Sequence, residues 1–258
     1  MPLNMDDLSG KVMVVTGGSR GIGREIVLGA VKRGARVAFC ARELDPDARA
    51  VKEAAEQIAG EESVIAVQAD VSQEDAVDAL FAHTRAEFGR VDVVVNNAGI
   101  TRNHLLATMP VSAWDHVIAT NLTGAFTVAQ RSITEFLEQK GSGKIIFIGS
   151  ITQNGAAGVS NYAASKGGLA GLTTAIAQEY GHRKIVVYLL VGGYAGTRLT
   201  ENTPNLVERI VEASPSGRLA SANDIASVVL FLASDCSRAI RNGAFIHVSG
   251  GMLEAPVW

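Results

Sequence analysis

Short apolar runs rich in β-branched residues alternate along this chain with stretches whose apolar residues recur three and four apart, and that alternation leaves few architectures open. Strands are expected over 12–15, 35–40, 64–69, 91–95, 144–148, 185–191 and 244–248. Helices are expected after Gly23, where Ile26, Val27, Ala30 and Val31 share a face, and over 75–88, 111–137, 162–180, 205–213 and 223–232. Strand followed by helix, repeated, implies right-handed crossovers and a doubly wound α/β fold: a parallel sheet of about seven strands with helices on both faces. An apolar fraction of 47% is enough to bury such a sheet. With no linker-like tract, charge run or repeat, the 258 residues are expected to form a single domain.

The first strand runs into Thr16-Gly17-Gly18-Ser19-Arg20-Gly21-Ile22-Gly23 and then a helix. Glycines at such a turn permit positive φ and let a phosphate approach backbone N–H groups at the positive end of the helix dipole. The spacing Gly17-x-x-x-Gly21-x-Gly23 in this context predicts a Rossmann-like dinucleotide site. The second strand ends at Ala41-Arg42, with no acid placed for a ribose 2′-OH. Arg42 and Arg20 instead suit a 2′-phosphate, so NADP(H) is expected over NAD(H). Asp45 and Asp47 are expected to open the next helix around Pro46.

Tyr162 and Lys166 stand four apart, on one face if this stretch is helical. A phenol titrates near ~10, and a neighbouring ammonium lowers that value, which suits the pair to moving a proton to or from a substrate oxygen. Five segments follow predicted strands and converge on one sheet edge: Gly17 to Gly23, Asp70-Val71, Asn96-Asn97-Ala98-Gly99, Gly149-Ser150 and the loop over 192–197.

Other chemistries find little support. Cys40 and Cys236 lack metal-ligand spacing, so neither a disulfide nor a metal is expected. A net charge of −3 gives no basic field for nucleic acid. No apolar stretch approaches a membrane span and residues 1–10 do not resemble a signal peptide, from which a cytoplasmic protein is expected. His83, His104, His116, His182 and His247 are scattered, and surface or packing roles are expected for them.

Over essentially its whole length the chain resembles the short-chain dehydrogenases/reductases. The glycine turn matches that family's T-G-x-x-x-G-x-G, Asn96 to Gly99 its N-N-A-G, and Tyr162 to Lys166 its Y-x-x-x-K. The resemblance implies catalysis by Asn121, Ser150, Tyr162 and Lys166. Ser150 would position a carbonyl oxygen, Tyr162 donate the proton, Lys166 lower the Tyr pKa and bind the nicotinamide ribose, and Asn121 hold a water leading to solvent. It also implies cofactor contacts from Thr16, Gly17, Ser19, Arg20, Gly21, Ile22, Gly23, Arg42, Asp70, Val71, Asn97, Ala98, Gly99, Gly193 and Thr197.

Within the family, residues 99–106, 114–124 and 246–252 look most like the 3-oxoacyl-ACP reductases. That likeness implies NADPH-dependent reduction of a 3-oxoacyl thioester, a homotetramer with the 111–137 and 162–180 helices pairing, and a substrate lid around 198–216. Arg183 falls where those enzymes carry a basic residue for acyl carrier protein, and equally suits a cation at a helix C-terminus. The tail over 252–258 could cover a neighbouring subunit's pocket or fray.

The chain departs from that pattern in three places. Eleven residues separate Ser150 from Tyr162, one fewer than usual, Gly192-Gly193 stands where the family has P-G, and Tyr188 replaces the Asn common before it. These departures keep two alternatives open: a ketoreductase or dehydrogenase of another ketone or alcohol (polyketide, sugar or steroid), and a nucleotide-binding protein without catalysis.

Overall fold

The computed structural model describes residues 7–193, 208, 210–212 and 214–252. Seven strands, β1 (Val12–Thr16), β2 (Arg36–Ala41), β3 (Val64–Gln68), β4 (Val93–Asn96), β5 (Gly143–Ser150), β6 (Ile185–Gly192) and β7 (Ala244–Val248), form one parallel sheet. Their order is β3-β2-β1-β4-β5-β6-β7. Successive side chains leave opposite faces of each strand, so β1 sends Val12 and Val14 into one apolar core and Met13 and Val15 into another. Burial of each such side chain contributes about 1.5–3 kcal/mol, which explains why these strands are apolar throughout.

Helices α1 (Gly21–Lys32) and α2 (Pro46–Ala59) cover one face. On the other lies α3 (Glu74–Phe88). Asp45 opens α2 as expected, its carboxylate accepting from the Ala48 N–H at 2.9 Å with Pro46 in the first turn. Chain direction across the sheet reverses between β1 and β4, and the crevice outside their carboxyl ends is where such folds take ligands.

The single helix expected over 111–137 is interrupted. α4 (Val111–Ile118) passes through a π-helical turn, Ala119–Thr123, into α5 (Gly124–Glu138). Gly124 packs against the chain after β3, where a Cβ would lie 2.8 Å from the Val71 carbonyl oxygen. The extra residue in the turn preserves an apolar face on both sides while aiming Asn121 inward. Helix α6 (Ser160–Tyr180) packs on α5's face of the sheet, and α7 (Ala222–Ala233) against α1 on the other. A capping box between Ser221 and Asp224 starts α7. No helix among the described residues is long and apolar enough to cross a membrane.

Most of the helix expected over 205–213, Thr197, most of the lid over 198–216 and residues 253–258 of the tail lie outside the described residues.

Candidate active site

The glycine turn is built so that backbone lies against backbone. Gly17 and Gly21 have φ of +66° and +53°, and a Cβ on Gly23 would sit 2.1 Å from the Gly17 carbonyl oxygen. Phe39 of β2 packs beneath Gly18, whose N–H donates to the Cys40 carbonyl at 3.0 Å. Asn97 Nδ2 donates to the carbonyls of Thr16 (2.9 Å) and Gly17 (3.0 Å). Thr16 Oγ1 accepts the N–H groups of Asn97 and Ala98, each at 3.0 Å. Two side chains thus clamp the β1 and β4 loops together. The N-cap of α1, Arg20, makes no side-chain cap to the first N–H groups of the helix. Cys40 is buried beneath, and burial pushes its thiol up to about 11, as an inert packing residue requires.

Around this turn, Arg20 and Arg42 differ. Arg20 pairs with Asp45 at 2.9 Å, so the α2 cap also holds the arginine of the glycine turn. Arg42 is exposed and makes no ion pair with any described residue. The Asp70 carboxylate accepts from the Ser72 N–H (3.0 Å) and hydroxyl (2.7 Å) through one oxygen. Gly193 donates its N–H to the Val248 carbonyl at 3.0 Å, and a Cβ there would lie 2.8 Å from Ser249 Cα. A Cβ on Gly192 would be less crowded among the described residues, meeting Ile225 Cδ1 at 3.5 Å.

Of the four residues expected to act on substrate, Ser150 ends β5, Tyr162 and Lys166 lie in the first turns of α6, and Asn121 lies in the π-turn between α4 and α5. Tyr162 lies in the first turn of α6, and Lys166 one turn on places Nζ 5.6 Å from the Tyr162 ring centroid. Lys166 is buried and donates to the Ile148 carbonyl at 2.8 Å. Asn121 is also buried: Oδ1 accepts from the Ile100 N–H (2.8 Å), while Nδ2 donates to the Ile100 carbonyl (2.9 Å) and Ser165 Oγ (3.2 Å). A Cβ at Gly99 would meet Asn121 Oδ1 at 3.4 Å and Lys166 Nζ at 3.6 Å, so the bare glycine leaves both groups facing one small space.

Three supporting side chains were not among the expected site residues. Asn161 is fully buried, with Nδ2 donating to the carbonyls of Arg102 (2.8 Å) and Ala113 (3.3 Å), and it fixes the start of α6 against the β4–α4 connection. Ser165 donates to the Tyr162 carbonyl at 2.7 Å and ties it to Asn121. Thr152 donates to Ser150 Oγ. A polar residue within two positions of Ser150, Tyr162 or Lys166 was the only signal of them in the sequence. The shortened loop is pinned by His104, whose N–H donates to the Gly158 carbonyl at 2.9 Å beside an isolated parallel bridge to Val159.

Burial lowers Lys166 to about 8. It does the same to Lys144, which donates to the Leu232 and Ser234 carbonyls and to Ser237 Oγ past the end of α7. An unfolded lysine keeps its proton to about 10.5, so above pH 8 the unfolded chain binds more protons and stability rises with pH. Cys40 opposes this above its ordinary value of 9.0, which leaves pH 8–9 as the clean window. Thermal melts should show Tm climbing across that window, less steeply in Lys166→Met; equal slopes would contradict the burial of a charged amine.

The model of the short chain dehydrogenase family matches residues 11–206. The chain belongs to that family. It is an oxidoreductase fold member throughout: a short-chain type dehydrogenase/reductase from Mycobacterium marinum superposes with a TM-score of 0.92 at 30% identity, covering 98% of each chain. The chain is 38% identical over 250 residues to a 3-oxoacyl-[acyl-carrier-protein] reductase of Synechocystis, covering 96% of this chain and 99% of that one. It is 40% identical over 244 residues to the 3-oxoacyl-[acyl-carrier-protein] reductase FabG of Staphylococcus aureus, covering 94% and 98%.

Proposed function

We propose that this short-chain dehydrogenase reduces a 3-oxoacyl thioester, carried on ACP or CoA, to the 3-hydroxyacyl form with NADPH. The observation that carries the reading is Lys166 Nζ held 5.6 Å from the Tyr162 ring and hydrogen-bonded to Ile148 of β5, the strand that ends in Ser150, in a chain about 40% identical to 3-oxoacyl-ACP reductases. The cradle fits a dinucleotide because its closest approaches, at Gly17, Gly18 and Gly23, pack the turn tightly at the start of α1, whose N-cap side chain does not cap the first N–H groups. When bound, the reduced nicotinamide supplies a hydride. Asp70 and Arg42 hold the adenosine end, while Thr16 and Asn97 act by fixing the turn rather than by touching the nucleotide.

At the substrate, negative charge grows on the carbonyl oxygen as its carbon is reduced. Ser150 meets that oxygen with its hydroxyl proton, and Tyr162 transfers a proton to it. Lys166, desolvated under the tyrosine ring, favours the phenolate left behind. Asn121 and Gly99 keep open the space through which Tyr162 regains its proton.

The preference for a 2′-phosphate rests on Arg42, since Arg20 already has a carboxylate partner. Arg42→Ala should raise KM for NADPH about ten-fold and leave that for NADH nearly unchanged; an equal effect on both would show that Arg42 does not read the phosphate. The assay is NADPH oxidation with acetoacetyl and longer 3-oxoacyl thioesters, and no turnover at any chain length would remove the substrate assignment. The loop between Ser150 and Tyr162, one residue short, favours as a second reading a ketoreductase of polyketide or another specialised ketone, which an alcohol and ketone panel separates.

Exposed Arg183 and Lys184 after α6 suit an acidic carrier protein. Exposed Phe126 and Leu137 on α5 and Phe245 on β7 suit self-association as a homotetramer, which light scattering would disprove by reporting a monomer.

A further inference from the structure

The turn that follows β5 points to one more working side chain. Thr152 is buried, 6% exposed, and lies in the short 3-10 turn Ile151–Asn154 immediately past Ser150. Its hydroxyl donates to Ser150 Oγ at 2.9 Å, and its own backbone N–H donates to the same oxygen at 3.3 Å. A serine hydroxyl has two lone pairs and one proton. With both lone pairs occupied by Thr152, the proton is the only hydrogen-bonding capacity Ser150 has left, and Ser150 itself is half-exposed at the cleft.

We propose that Thr152 is a positioning residue that fixes Ser150 as a donor and strengthens that donation. The inference rests on the reading of Ser150 as the group that meets the carbonyl oxygen. Left to itself, a hydroxyl beside a ketone and a phenol can turn either way, accepting from Tyr162 in one orientation and donating to substrate in the other. Two donors converging on Ser150 Oγ remove the first orientation. They also polarise the O–H bond, because a hydroxyl that accepts hydrogen bonds donates more strongly. The effect belongs to the stage at which charge has built on the substrate oxygen, so it lies in kcat rather than in cofactor binding.

Thr152→Val keeps the shape and loses the donor, and Thr152→Ser keeps the donor. With acetoacetyl-CoA and NADPH, Thr152→Val should lower kcat about ten-fold, less than removal of an oxyanion donor itself, with KM for NADPH within about two-fold; Thr152→Ser should recover most of the loss. In Ser150→Ala, adding Thr152→Val should cost nothing further, since the threonine acts only through the serine. A merely structural threonine would instead shift Tm and give losses that add in the double variant. A Thr152→Val protein with wild-type kcat, or additive losses, overturns the proposal. If the valine variant does not fold, Thr152→Ala is judged by the same criteria. Ser150→Ala with full activity, or a wild-type chain inactive on every 3-oxoacyl thioester, would overturn the reductase reading itself, and the threonine's role with it.

Discussion

Tyr162→Phe should lower kcat for 3-oxoacyl thioester reduction by roughly 10²- to 10⁴-fold, the range over which a positioned general acid acts, while NADPH binds within about three-fold of wild type. The substitution removes one oxygen and keeps the ring, so the 5.6 Å placement of Lys166 Nζ over it and the packing of α6 are retained. Loss should therefore appear in kcat and kcat/KM together. A cofactor titration by fluorescence alongside steady-state kinetics checks both halves. Activity within ten-fold of wild type would mean that another group supplies the proton, and undiminished function in this variant is also what a non-catalytic nucleotide-binding protein would show.

Gly23→Ala should raise the NADPH Kd at least about 100-fold. Its new methyl would sit 2.1 Å from the Gly17 carbonyl oxygen and 2.6 Å from Asn97 Nδ2. The first neighbour is backbone held at a φ of +66° and cannot swing aside, so the turn must open and the N–H groups at the start of α1 lose their alignment. Gly171→Ala is the matching control: it lies in α6, no atom is within 4 Å of its Cβ position, and helix propensity favours the change by up to about 1 kcal/mol. Calorimetric titration of the two variants should separate them widely. Equal affinities would show that the close approach at Gly23 does not shape the nucleotide site.

Much of this architecture could be read from one sequence because local and global signals agree. The β-branched runs over 12–15, 185–191 and 244–248 are strands within a residue of where they are observed, since a sheet buried on both faces demands such runs. Where the two signals diverge, so do expectation and structure. The fourth strand begins at Val93 rather than at Val91 because the Gln139 side chain takes both backbone groups of Val91, at 2.9 and 3.1 Å. Apolar spacing across 111–137 reads as one helix, and a π-turn that adds a single residue leaves almost no trace in that spacing, yet it is what sets Asn121.

The candidate site divides in the same way. Tyr162 and Lys166 are legible because they lie on one helix, and the glycines because steric need restricts the residue type. Partners distant in sequence are not: the pairing of Arg20 with Asp45 depends on how the β1 turn meets the α2 cap, and it shifts the case for a 2′-phosphate onto Arg42. Thr152, Asn161 and Ser165 are marked by hydrogen bonds to Ser150 Oγ, the Arg102 carbonyl and the Tyr162 carbonyl, none of which sequence spacing carries.

In the proposed reaction this cleft delivers hydride to a ketone carbon while Tyr162 protonates the oxygen. The most direct measurement is mass spectrometry of the product formed from acetoacetyl-CoA with NADPH deuterated at its transferable position. The expected product is a 3-hydroxybutyryl thioester carrying one deuterium on the carbinol carbon, formed by the wild-type chain and nearly absent with Tyr162→Phe. Product without that deuterium, or equal yield from both proteins, would contradict it.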